Sequence, residues 1–196
     1  SLTTDAGGTS SLRSVTTTGA QTYGDDTTTL NGTYTTTNSA FTVANAATLT
    51  ANVTVSTGTG NISFNGTVNG GQSLVANSSG ATTFGGVVGG TTPLASLTTD
   101  AGGTSSLRNV TTTGAQTYGD DKTTLNGTYT TTKSAFTVAN AATLTANVTV
   151  STGTGNIAFN GTVNGGFALV ANSSGATDRK STRLNSSHAN ISYAVF

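Results

Sequence analysis

Few residues in this chain are able to do chemistry. Across 196 residues there is no Cys and one His, and every acidic residue is Asp. Outside a final segment treated below, the acidic residues are Asp5, Asp25 and Asp26, which return as Asp100, Asp120 and Asp121. General acid–base work needs a side chain titrating near neutrality, or a carboxylate shifted there by its surroundings. A catalytic carboxylate pair would need partners from elsewhere in the chain, and none is evident. Asp25-Asp26 follows Tyr23-Gly24 and precedes a Thr run, the setting of a solvated corner in which Asp bonds its own backbone. A hard cation is the better use of such a pair, because Ca²⁺ takes several oxygen ligands from carboxylates and backbone carbonyls. Asp25, Asp26, Asp120 and Asp121 are therefore the candidate calcium ligands. The glycine-rich nonapeptide of calcium-binding β-rolls does not occur. The expectation is a non-enzyme with no catalytic residue and no cofactor.

Composition says what must position these groups. Charged residues make up 7% of the chain, against roughly 25% in ordinary soluble domains. Thr and Val abound, and their branching at Cβ suits a pleated surface. Glu and Met are absent, and Lys, Gln and Arg, which also favour helix, are scarce. An all-β chain follows. Without Cys it has no disulfide and no thiolate site, so burial and backbone pairing must hold it together. No run of 18 apolar residues offers a membrane-spanning helix. Ser1 opens no signal peptide, and the lack of an initiating Met suggests a piece from inside a longer protein. Arg13, Arg108, Lys122 and Lys133 stand against six Asp, a net charge of −2 with no basic stripe for nucleic acid. Sequons at Asn31, Asn52, Asn61, Asn65 and Asn77 are what chance gives in a chain this rich in Asn, Ser and Thr.

The dominant feature is a 95-residue tandem repeat. Residues 1–82 return as 96–177 with six differences: Ser14/Asn109, Thr27/Lys122, Asn38/Lys133, Ser63/Ala158, Gln72/Phe167 and Ser73/Ala168. Residues 1–95 are thus a first long repeat of four to five coils, and 96–177 a second, truncated one. Within it lie shorter echoes. Phe64-Asn65-Gly66 resembles Phe84-Gly85-Gly86 at an offset of 20, Ser73-Leu74-Val75 resembles Ser96-Leu97-Thr98 at 23, and Gly19–Tyr23 echoes Gly70–Leu74. Periods of about 20 are the size of one solenoid coil. Apolar residues alternate at Leu49, Ala51, Val53 and Val55 and at Ile62, Phe64 and Val68, a period of two that lines one strand face. Asn31-Gly32, Asn65-Gly66 and Asn69-Gly70-Gly71 mark turns. Asn-Gly also marks antiparallel hairpins, so tandem immunoglobulin-like sandwiches with a boundary near Leu94-Ala95 are the alternative fold. Lys122 and Lys133 must reach water, which puts Thr27 and Asn38 outside. Gln72/Phe167 is in phase with Leu74 and makes sense only in a turn.

The character changes at Asp178. Asp178–His188 and Ile191–Phe196 resemble the conceptual translation of a common short-read sequencing adapter, with Ala189-Asn190 where its variable index would fall. On that resemblance 178–196 is an artefact tail that should lie outside the regular stack or drape over its last coil. His188 is then no ligand, and Arg179, Lys180 and Arg183 are no nucleic-acid patch.

Gly60–Val68 and Thr82–Leu94 resemble the β-strand repeats of large bacterial exoproteins, filamentous-haemagglutinin-like adhesins and autotransporter passengers. The resemblance implies a right-handed parallel β-helix with coils of about 20–23 residues. It also implies export across an outer membrane and exposure on a bacterial cell surface. The expected role is an adhesive stalk touching a host-cell, matrix or biofilm surface and continued by more repeats of the parent chain. Two other functions stay open here: a tandem immunoglobulin-like binding module of a giant adhesin, and a carbohydrate-active β-helix enzyme. No receptor-binding residue carries over, because the repeats define scaffold positions.

Overall fold

The computed structural model describes residues 1–179. They form a parallel β-solenoid of about nine coils, with no helix. Each coil passes through three strand positions, which we call the first, second and third faces. Leu2–Thr4, Gln21–Tyr23, Phe41–Val43 and Ile62–Phe64 stack in that order on the first face, in register Leu2, Gln21, Phe41, Ile62. Residues 9–12, 27–30 and 46–49 and then Val68–Asn69 stack on the second. Residues 15–17, 33–36 and 53–58 and then Ser73–Ser78 stack on the third. Strands of 9 to 13 residues, such as Thr9–Thr17 and Ala46–Gly58, run around a corner and serve two faces.

Every strand pairing is parallel, and pairing continues across the boundary near Leu94-Ala95. Ser96–Thr99 lies on Ser73–Ser78, and Thr104–Thr112 lies on Ala81–Val88. The sandwich alternative is thereby overturned. Asn-Gly makes corners here, not hairpins: Gly32 takes φ 88° inside the continuous strand Thr27–Thr36, a conformation that glycine enters without a Cβ clash.

The alternation of sequence becomes an inside and an outside. Leu49, Val53, Val55, Ile62, Phe64 and Val68 are buried in the single core, while Ala51 sits half-exposed at a corner. Phe41, Phe64 and Phe84 stack up the interior with centroids 5.7 and 5.3 Å apart. Lys122, Lys133 and Asn38 are exposed, and Thr27 is half-buried. Gln72 and Phe167 fall in bends before their strands, with Phe167 40% exposed, which explains how so unlike a pair is tolerated. The offsets of 20 and 23 are stacking offsets, Phe84 on Phe64 and Ser96 on Ser73. Gly19–Tyr23 and Gly70–Leu74 do not stack.

Thr177–Arg179 continues the third face by pairing with Ile157–Phe159. Asp178 and Arg179 are therefore paired by their backbone to the last coil, since backbone pairing is indifferent to side-chain identity. Residues 180–196, including His188, lie outside the described residues.

Candidate functional site

The Asp25-Asp26 pair sits where the first face turns into the second, and its copy Asp120-Asp121 sits where the third turns into the first. In each pair the two side chains part company. Asp25 and Asp120 point inward and are buried, while Asp26 and Asp121 are exposed. Among the described residues no group of three His, Cys, Asp or Glu side chains is gathered so that it could hold a metal ion.

What the inward carboxylate meets is hydroxyl. Thr4 donates to Asp25 Oδ2 from the coil below, and Thr99 makes the same bond to Asp120 Oδ2. From the coil above, Asn45 Nδ2 donates to the carbonyls of Gly24 and Asp25 at 3.1 and 3.0 Å. Asn140 does the same for Gly119 and Asp120 at 3.0 Å each. The Asp therefore fixes a corner between two neighbouring coils. Their surroundings nevertheless shift the two carboxyls in opposite directions. The Thr4 hydroxyl bond holds the Asp25 carboxyl below its ordinary range. Burial dominates at Asp120 and pushes its carboxyl up, and Asp120 Oδ1 has no hydrogen-bond partner among the described residues. The difference is position. Asp25 belongs to the second coil, with one coil beneath it, whereas Asp120 lies deep in the stack.

A second buried polar group was not anticipated from sequence. Gln21 and Gln116 are completely buried. Gln116 Nε2 donates to Thr130 O at 2.8 Å and to Val110 O at 3.3 Å, and Tyr118 Oη donates to Gln116 Oε1 at 3.1 Å. Gln21 and Tyr23 repeat the pattern, with Thr35 O at 2.9 Å. Each Gln donates to carbonyls of two successive coils. Only its strand phase, two residues before an inward Tyr, signals this.

Corner residues cap the amides of the following coil. Ser14 Oγ accepts from Thr33 N–H at 3.1 Å, and Asn109 Oδ1, its counterpart, accepts from Thr128 N–H at 2.8 Å. Asn38 accepts from Thr59, Asn52 from Ser73 and Asn61 from Ala81 in the same way. Most of the abundant Asn is thus structural.

The outer surface is a ladder of hydroxyls. On the first face the outward positions run Thr3, Thr22, Thr42, Ser63, Thr83, Ser106, Thr124, Thr143 and Asn164, one per coil. Their spacing is that of stacked strands, about 4.8 Å. Such a face is uncharged and offers a donor and an acceptor at each step.

Comparison with protein-family models, with curated proteins and with solved structures returned no match.

Proposed function

We propose that this chain is a structural and adhesive stalk segment of a secreted bacterial surface protein and that it carries no catalysis. The observation that supports this most is the unbroken parallel stacking from one long repeat into the next. Each coil adds about 4.8 Å of length, so the described residues make a rod on the order of 40 Å, and further repeats of the same kind lengthen it without a new interface. A neutral, hydroxyl-lined exterior suits many weak contacts with a host-cell, matrix or biofilm surface better than one deep pocket. Beads coated with the purified chain test the adhesive half of this reading. Retention above that of bare beads on at least one of those three surfaces is expected, and retention equal to bare beads on all three contradicts it.

A further inference from the structure

The register holds a phase relation between the two long repeats. Leu2–Thr4 lies on the first face, but its copy Ser96–Thr99 lies on the third. Likewise residues 9–12 are on the second face and their copies 104–107 on the first. The shift follows from counting strands: 95 residues supply fourteen strand positions, four and two-thirds coils at three per coil. The same sequence thus restarts one face out of phase, and a third copy would start on the second face.

At the internal junction this arrangement is tight. Ser78 N–H donates to Asp100 Oδ1 at 2.9 Å. Gly103 leaves no room for a Cβ, which would stand 2.1 Å from Gly80 O. Leu97, Leu107 and Val110 are completely or almost completely buried. The same residues in the first coil lack that cover. Leu2, Leu12 and Val15 are only partly buried, Asp5 is exposed, and Gly8 has nothing within 4 Å of its would-be Cβ. The last coils show the matching deficit. Val163 and Ala171 are only partly buried, whereas their copies Val68 and Ala76 are fully buried. One end therefore carries the upper half of a known interface and the other end carries the lower half.

We propose that the chain docks head to tail on a second copy of itself in the register of that junction, turned by one face. Leu2–Thr4 of one molecule lies on Leu169–Ser173 of the next, as Ser96–Thr99 lies on Ser73–Ser78. Residues 9–12 lie on Thr177–Arg179, as 104–107 lie on 81–84. Asp5 accepts from the Ser173 amide of the other molecule, as Asp100 accepts from Ser78.

The chain has no Cys, so single-cysteine variants report the register directly. Junction pairing of Thr98 with Val75 places Thr3 of one molecule beside Val170 of another. Stacking without the turn would place Thr3 beside Asn164 on the first face. Full-length Thr3→Cys is mixed with Val170→Cys or with Asn164→Cys under mild oxidation. Cross-linking through Val170 at least tenfold faster than through Asn164 is expected. Equal rates, faster linkage through Asn164, or chains that sediment as uncross-linked monomers at every concentration overturn the proposal. A second variant checks the edge. Leu2 N–H is donated to Ala20 O in the following coil, so the Thr3 N–H points toward the open side of the strand. Thr3→Pro should weaken association at least tenfold while leaving the melting of dilute monomer in place. Undiminished association by that variant contradicts docking through this edge.

Discussion

At the scale of single residues, identical side chains meet different physics because their coils have different neighbours. Asp120 is the clearest case. Its carboxyl is raised by burial, so the folded state favours the protonated form. Its stability contribution is fully present below the unfolded pKa and is lost as pH rises through the folded value. Asp25 runs the other way. Its carboxyl is lowered by the Thr4 bond, so its contribution is present above the unfolded pKa and is lost as pH falls through the folded one. Asp120→Asn should therefore raise the melting temperature at pH 7, and Asp25→Asn should lower it, in melts followed by circular dichroism between pH 3 and 8. Equal effects of the two substitutions would mean that the corners are equivalent. Lys133 offers a second test. It occupies the left-handed region at φ 57°, where Asn is better tolerated than Lys. It also lacks the side-chain oxygen with which Asn38 accepts from Thr59 N–H at 3.1 Å. Lys133→Asn should stabilise the fold by about 1 kcal/mol, read as a higher denaturation midpoint at unchanged slope.

At the scale of strands and corners, stability comes from stacking like on like. Phe136 lies between Tyr118 and Phe159, its ring 5.6 Å from each, and is completely buried. Phe136→Ala should cost about 3–5 kcal/mol in chemical denaturation. Corners are limited by backbone contact. A Cβ on Gly155 would stand 2.1 Å from Ser134 O, so Gly155→Ala must push two coils apart and should cost about 1–3 kcal/mol. Gly166→Ala is the contrast, because nothing lies within 4 Å of its would-be Cβ. This scale is also where sequence was most legible. The period of two gave the inward residues, and the internal offsets of 20 and 23 gave the stacked strands, because each coil solves the same packing problem as its neighbour. Less was legible wherever two coils combine. Adjacency in sequence did not tell that Asp25 is buried and Asp26 exposed, because alternation along an extended backbone sends adjacent side chains to opposite sides. The buried Gln116 was hidden because its partners, Thr130 O and Tyr118 Oη, are set by the fold rather than by spacing.

At the scale of the whole molecule, repeat length and coil length are incommensurate. A 95-residue unit was legible as four to five coils, but its phase was not, since that depends on how many residues each corner absorbs. The corner at 89–95 is the long one, and across it the stacking offset stretches to 23 between Ser73 and Ser96. Each surface feature consequently moves to another face in each successive repeat, so an extended array would present it all around the rod. The molecule is one continuous parallel solenoid in which the second repeat restarts one face out of phase, and an intramolecular disulfide at the boundary can trap that register. Thr83 and Ser106 are outward-facing neighbours across the junction, within the Cα separation a disulfide needs, about 4.4–6.8 Å. The double variant Thr83→Cys/Ser106→Cys should close rapidly in dilute solution without loss of β-structure, and Thr83→Cys/Thr98→Cys should not. Closure of the Thr83–Thr98 pair instead would mean that the repeat restarts on the same face, and closure of neither would mean that the two repeats fold apart.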